Sequence, residues 1–300
     1  MTICEAYTLC GIRSKCQKMK IIKLLSFFKN DVINLLRGHF TPSTILAMYV
    51  SKMGVLKPVI MGNIAIKLPD NIRIFVNDGA TLGINIPDLY VRMEYMRHPD
   101  YIPSENWVVF DIGAHVGVYA LWVSKKLGDG GFVVAFEPNP LVFRWLVSNI
   151  ELNKVRNIKA LPYALGDEVT NSILYMANGN VGASSLIKNL ITKSGLSIVS
   201  SFKVPVLTLD YVTQKSATII GRFIDHIDLV KIDVEGYEMK VLRGAEIILN
   251  RDLIERFVIE VHTEHVSTKE LIKFLREYGY ILDEIVRFSH KDVVYLRRQD

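Results

Sequence analysis

From residue 107 onward, short apolar runs alternate with segments of helical spacing, and a chain written this way has few folds open to it. Strand-like runs span 107–112, 132–136, 158–164, 229–234 and 257–261, and helix-like segments span 119–127, 141–152, 239–249 and 269–278. Each strand returns to its sheet through the helix behind it, so the pattern predicts a parallel, doubly wound α/β sheet. The end departs from the rule. Runs 280–288 and 292–297 are joined by Ser289-His290-Lys291 with no helix between, which predicts an antiparallel hairpin closing the sheet. A chain of 300 residues that is half hydrophobic and 22% charged can bury such a core and is not a disordered tail.

Upstream the pattern is different. Cys4, Cys10 and Cys16 all fall within residues 1–18, which show no period and no CxxC pair, so neither a disulfide framework nor a metal site is expected. In residues 20–37, Ile21, Leu24, Leu25, Phe28, Val32, Leu35 and Leu36 follow helical spacing among Lys20, Lys23, Lys29 and Arg37. This amphipathic helix is read as packing on its own domain, with contact to a membrane surface as the alternative. The apolar stretch 44–66 is cut by Lys52, Gly54, Lys57 and Pro58, too short for a membrane span. Without a secretory pattern at the N-terminus, the cytoplasm is the expected compartment. Residues 59–100 read as a β-meander, because Ile64, Ile66, Ile72, Ile74 and Val76 alternate with polar residues between turn clusters at 69–71 and 77–79. The expected organisation is an N-terminal extension over 1–58, a β lead-in over 59–100 and the main domain over 101–300. Net charge is 36 − 31 = +5 with the signs interleaved, which argues against a nucleic-acid partner.

The first strand of the main domain runs into Asp111-Ile112-Gly113-Ala114-His115-Val116-Gly117, a D-x-G-x-x-x-G turn ahead of a helix. Glycines there let a ligand approach the backbone, and the helix N-terminus offers free N–H groups. A dinucleotide site would need a further glycine where Ala114, His115 and Val116 stand. The next strand ends in Glu137, twenty residues after Gly117, followed by Pro138-Asn139-Pro140. An acid at that strand tip can accept both hydroxyls of a ribose; alternatively Glu137 only caps the next helix. Together the turn and the acid imply an adenosyl ligand.

At this point the chain resembles the class I S-adenosylmethionine-dependent methyltransferases, and among them the FkbM-like family. The resemblance rests on DIGAHVG, on AFEPNP with Leu146, Asn149 and Asn153 behind it, and on Ala164-Leu165-Gly166-Asp167. It continues through Leu207-Thr208-Leu209-Asp210, residues 231–238 (KIDVEGYE) and Ile259-Glu260-Val261-His262. It implies a Rossmann-like sheet of seven strands in the order 3-2-1-4-5-7-6, with S-adenosylmethionine over the C-terminal strand ends. It further implies that Asp111, Gly113, Ala114, His115 and Gly117 cradle the methionine part, His115 through its backbone. Glu137, with Pro138 and Asn139, would hold the ribose, and Ala164, Leu165 and Asp167 would lie near the adenine. Asp167 also reads as an ordinary turn residue.

A hydroxyl acceptor must lose a proton, so a base is expected at the mouth of the sheet. Asp233 and Glu235 stand two apart at one strand end, and Glu260 and His262 repeat the spacing on the next. Any of the four could serve. Their structural alternatives are a carboxylate bonded to backbone for Asp233, a helix cap for Glu235, a pair with Lys231 for Glu260 and a strand-end histidine for His262. Residues 178–201, rich in Gly, Ser and Asn with Ser184-Ser185 among them, read as a long loop, either a lid or plain surface. The expected activity is O-methylation of a sugar, glycan or secondary-metabolite hydroxyl; the alternatives are a nitrogen acceptor, though the [DNS]-P-P-[YFW] signature is absent, and a non-catalytic S-adenosylmethionine-binding module. One prediction concerns the N-terminus. A chain beginning at Met19 should melt within a couple of degrees of the full chain, because aperiodic termini bury no face. Removal through Gly38 should cost several kcal/mol at ~1.5–3 kcal/mol per buried Leu, Ile or Phe. Equal melting of all three chains would mean that the helix packs on nothing.

Overall fold

The computed structural model describes residues 65–75, 81, 86–90, 92–178, 180–193 and 195–299; residues 1–18 and the expected helix over 20–37 lie outside them. Strands β1 (Ala65–Lys67) and β2 (Arg73–Phe75) pair antiparallel around the turn Pro69-Asp70-Asn71, with Ile72 and Ile74 fully buried. They are the part of the expected meander over 59–100 that is strand; Ile64, Val76 and the second turn lie outside the described residues, and the described residues from 86 to 100 form helix and turn instead of strand. Helix α1 (Ile86–Tyr90) precedes the main alternation of β3 (Val108–Ile112), α2 (Val118–Leu127), β4 (Phe132–Phe136), α3 (Pro140–Asn153) and β5 (Ile158–Leu161). Next come β6 (Ala164–Leu165), β7 (Thr170–Ala177), β8 (Asn180–Ser185), α4 (Lys188–Lys193), β9 (Ile198–Leu207), α5 (Leu209–Gln214) and α6 (Ser216–Ile219). The chain then resumes with β10 (Leu229–Ile232), α7 (Glu238–Arg243), α8 (Glu246–Asn250), β11 (Arg256–Val261), α9 (Thr268–Glu277), β12 (Tyr280–Arg287) and β13 (Asp292–Arg298).

Seven of these strands form one sheet in the order β12-β13-β11-β10-β3-β4-β5, which is 3-2-1-4-5-7-6 when they are renumbered in chain order. The five strands from β11 to β5 are parallel, and β13 slots antiparallel between β11 and β12. Strand β3 lies in the middle and is apolar toward both faces: Phe110 and Ile112 enter one core, Val109 the other. The helices start where their sequences say. Asn139 accepts the Leu141 N–H at 3.0 Å ahead of Pro140, and Ser267 accepts the Glu270 N–H at 3.3 Å.

Three expectations change. The run 158–164 ends at Leu161, since Pro162 has no N–H to donate, and Ala164 and Leu165 join another sheet. The helix expected over 239–249 divides into α7 and α8 at Gly244, where a side chain would meet the Gly166 carbonyl at 1.9 Å. Asp210 then gives α8 its own start by accepting the N–H groups of Ile247 and Ile248 at 3.0 and 2.9 Å. Residues 178–201, expected as a loop, instead supply β8, α4 and the beginning of β9, which with β6 and β7 make a four-stranded sheet in the order β6-β9-β7-β8. That sheet buries a small apolar cluster of Ala164, Leu174, Val204 and Val206, so its strands carry little hydrophobic signal and arise from pairing between β7 and β9.

Hairpin β1–β2 is attached to α3 by asparagines. Asn153 accepts the Arg73 N–H at 2.7 Å and donates to the Arg73 carbonyl at 2.6 Å, while Asn149 accepts the Phe75 N–H at 2.8 Å. Asn149 also donates to the Val116 carbonyl, at 2.9 Å, inside the glycine turn. Asn149→Ala should therefore cost about 1–3 kcal/mol by stranding two backbone groups. Urea denaturation would measure it, and a loss below about 0.5 kcal/mol would mean that water replaces the amide.

Candidate active site

The turn after β3 is shaped by backbone crowding. Gly113 has φ of +81°, and a Cβ there would sit 1.8 Å from the Asp233 carbonyl; Gly117, at +85°, would strike Leu146 at 2.6 Å. The N–H groups of Gly113 and Ala114 both reach the Phe136 carbonyl, at 3.0 and 2.9 Å. His115 donates its backbone N–H to Glu137 Oε2 at 2.9 Å, a contact within the protein that the sequence reading did not anticipate. Glu137 Oε1 accepts the Asn139 N–H at 2.8 Å. The helix cap is Asn139 and not Glu137, so the capping alternative for Glu137 falls. Burial pushes the Glu137 carboxyl up to about 7, against the two N–H bonds that favour its charge.

Beside the turn, Lys231 is buried on β10 opposite Asp111. Its ammonium donates to the Gly113 carbonyl at 3.0 Å and pairs with Asp111 at 3.1 Å and Asp233 at 3.6 Å, between the rings of Tyr95 and Tyr119. Burial works against its charge, but Asp111 and Asp233 outweigh it and hold the ammonium protonated. Asp111 feels the reverse balance: burial pushes its carboxyl up and Lys231 opposes.

The four residues expected at the strand ends do converge. His262 Nδ1 lies 2.8 Å from Glu238, and its Nε2 lies 3.2 Å from Glu235 and 3.7 Å from Glu260. Burial opposes charge on His262, but Glu235 and Glu238 outweigh it and raise its pKa well above the usual value. Tyr95 brings one hydroxyl proton to two carboxylates, Glu260 at 2.7 Å and Asp233 at 3.0 Å. Burial and the neighbouring Asp233 raise Glu260 to about 7, whereas Lys231, His262 and Lys291 overcome burial at Asp233 and lower it. Glu260 pairs with Lys291 at 3.0 Å, and Lys231 goes to Asp111 and Asp233 instead. Nor is Glu235 a helix cap, since the N-cap of α7 is Tyr237 and no side chain caps it.

Two clefts meet at Glu235. The smaller, about 100 Å³, is lined by Gly113, Ala114, His115, Tyr119, Asp233, Glu260 and the lead-in residues Asp88 and Tyr95. The larger, about 360 Å³, is lined by Leu190, Lys193, Glu235, His262, Glu264, His265 and His290. The second sheet is stitched to both strand tips: Ser185 donates to the Glu235 carbonyl at 2.8 Å, and Asn139 donates to Ser184 at 3.0 Å. Ala164 and Leu165 are buried in β6, and Asp167 is held by Lys240 at 2.8 Å, which lowers its pKa.

Sequence reading missed Tyr95, Lys291, Glu94 and Glu238. Lys291 bridges Glu94 at 2.7 Å and Glu260 from the turn between β12 and β13. Only a tertiary fold brings these positions together; Glu238, two residues past Gly236, was the one with a local signal.

Comparison with known proteins adds to the geometry. Residues 111–282, more than half of the chain, match the family described as "Methyltransferase FkbM domain". Among similar proteins, Methyltransferase 1 of Beauveria bassiana is 28% identical over 65% of this chain and 80% of its own length. The hexuronic acid methyltransferase AglP of Haloferax volcanii is 30% identical over 66% of this chain and 73% of its own. The 31-O-demethyl-FK506 methyltransferase FkbM of Streptomyces tacrolimicus is 29% identical, with 62% and 76% covered. With the family match spanning the glycine turn, Glu137 and both acidic strand ends, the chain belongs to the FkbM methyltransferase domain family of S-adenosylmethionine-dependent enzymes.

Proposed function

We propose that this methyltransferase acts on a hydroxyl of a sugar or secondary metabolite, with the methionine part of the cofactor at the smaller cleft, its ribose and adenine beyond that cleft toward Glu137 and Ala164, and the acceptor in the larger. The observation that carries the reading is the meeting of the two clefts at Glu235, with Asp233, Glu260 and His262 around the junction. The names of two relatives, a hexuronic acid methyltransferase and a 31-O-demethyl-FK506 methyltransferase, support the acceptor class.

The smaller cleft fits S-adenosylmethionine by charge. Asp88, Asp233, Glu235 and Glu260 outnumber Lys231 and Lys291 along its wall, which suits a ligand carrying a sulfonium and an ammonium. S-adenosylmethionine supplies a methyl group on a leaving group that is already good, so the protein is left with alignment and proton removal. Gly113, Ala114 and His115 would take the methionine part. Glu137, with Pro138 and Asn139, would take the ribose, its oxygens still able to accept after binding two N–H groups. Ala164, Leu165 and Asp167 remain the assignment for the adenine, with Asp167 shared with Lys240. At the junction Asp233, Glu235, Glu260 or His262 would receive the hydroxyl proton. In the larger cleft, Lys193, Glu264, His265 and His290 give a polyol several hydrogen-bond partners.

Calorimetry should find binding of S-adenosylmethionine and none of NAD, and Glu137→Ala should weaken the former by about 1–3 kcal/mol. Protonation removes the charge of Glu137 and turns one of its oxygens from acceptor to donor, weakening its hold on the two ribose hydroxyls, so affinity should fall as pH drops through about 7, the value to which burial raises it. Its nearest charges, Lys231 and Asp111, oppose one another there. Glu137→Gln should lose that pH dependence; a dependence that persists would move the ribose contact elsewhere. Screening glycans for release of S-adenosylhomocysteine tests the activity. With an acceptor found, His262→Ala should cut turnover by ~10²-fold at little change in cofactor affinity, and Glu260→Gln, which lines the cofactor's cleft, should cut it as far while also weakening the cofactor. Full turnover in both variants would remove the proton-transfer role from this junction.

A further inference from the structure

We propose that Ser185 is a positioning residue for the acceptor side of the site: one buried hydroxyl sets both the helix that walls the larger cleft and the turn that carries Glu235. Ser185 ends β8, where it pairs with Tyr175 of β7, and is 1% exposed. Its Oγ donates to the Glu235 carbonyl at 2.8 Å, across 50 positions of sequence, and accepts the Ile187 N–H at 3.0 Å. A hydroxyl carries one proton, so the donor goes to the turn and the acceptor to the residue that leads into α4. Alanine in its place would do neither.

The turn that Ser185 holds is one the backbone disfavours. Glu235 has φ of +51°, a left-handed conformation costly to a residue with a Cβ, and Gly236 follows at +90°. Such a conformation persists where neighbours over-determine it. Here Ser185 takes the Glu235 carbonyl, and Glu238 takes the Gly236 N–H at 2.8 Å. The segment carrying α4 presses on Gly236, where a Cβ would stand 2.8 Å from Leu190 and 3.4 Å from Ile187. In this conformation the Glu235 carboxylate lies 3.2 Å from His262 Nε2.

Helix α4 rests on both sheets. Lys188 lies over the Tyr175 ring of the second sheet at 5.9 Å, while Leu190 packs on the Gly236 turn of the main one. Leu190 and Lys193 line the larger cleft, and no residue of α4 lines the smaller. The distance from α4 to Glu235 is therefore the width of the acceptor cleft where it meets the cofactor's, and Ser185 ties the two walls together. The preceding residue faces the other way: Ser184 accepts from Asn139 at 3.0 Å, beside Glu137. The role rests on the proposed placement of the acceptor in the larger cleft.

The test compares Ser185→Ala and Ser184→Ala with the unaltered full chain. Imidazole titration by NMR needs no acceptor, and His262 is identified as the resonance that His262→Ala loses. Beside Glu238, Glu260 and Asp233, Glu235 supports the charge on His262, so His262 should titrate at lower pH once Ser185→Ala frees the turn. Ser184→Ala should leave that midpoint in place. Amide exchange over residues 186–193 should quicken at least ~10-fold in Ser185→Ala, with β3 and β4 unaffected. Ser185→Cys, whose thiol is a weak donor, replaces Ser185→Ala if that variant melts early. An unchanged His262 midpoint, an equal shift in Ser184→Ala, or faster exchange throughout the main sheet overturns the role. With an acceptor in hand, Ser185→Ala should raise its KM at least ~10-fold while the Kd for S-adenosylmethionine stays within about threefold; equal losses in both overturn the role too. Calorimetry of S-adenosylmethionine on the unaltered chain tests the methyltransferase reading separately, and its failure would leave the titration and exchange results to decide what Ser185 does.

Discussion

The ammonium of Lys231 is the contact on which the site depends. An unpaired charge at that depth would cost several kcal/mol, and the fold offsets the cost with Asp111, Asp233 and the Gly113 carbonyl. Those partners come from the end of β3, the glycine turn and the end of β10. One cation thus fixes the spacing of the two central strand tips. The crowding at Gly113, where a Cβ would meet the Asp233 carbonyl, is the steric side of the same closeness. A turn packed this tightly against the next strand end leaves the cleft little room to deform.

Around that centre, polar groups satisfy one another in pairs across elements distant in sequence. Tyr95 and Lys291 hold Glu260, Glu238 holds His262, and Ser185 holds the Glu235 carbonyl. Each of these partners lies on a different segment from the group it holds. The lead-in enters the site through Asp88, Glu94 and Tyr95. Asn149 carries the same logic outward, tying the glycine turn to hairpin β1–β2. Among the described residues no helix is long and apolar enough to cross a membrane.

What the sequence determined was whatever depends on neighbours along the chain. Strand β4 was legible to the residue and β3 to within one, because their apolar runs are continuous and bounded by turn residues. The two glycines of the turn, the acid at the tip of β4 and the paired spacing of Asp233, Glu235, Glu260 and His262 were legible because each is a local pattern. The terminal hairpin was legible for the same reason.

The tertiary structure decided what depends on residues far apart. It made a sheet of residues 178–201, whose Ser- and Gly-rich stretch becomes strand only when β7 and β9 pair. It divided the helix over 239–249 at Gly244, where a side chain would strike the Gly166 carbonyl and Asp210 starts α8 anew, contacts no helical period encodes. It gave Glu260 the lysine of a distant turn and assigned Lys231 to other acids. Periodicity reports which face a residue presents, but which charge answers another across a low-dielectric core is set by packing, where an unanswered group is too costly to keep.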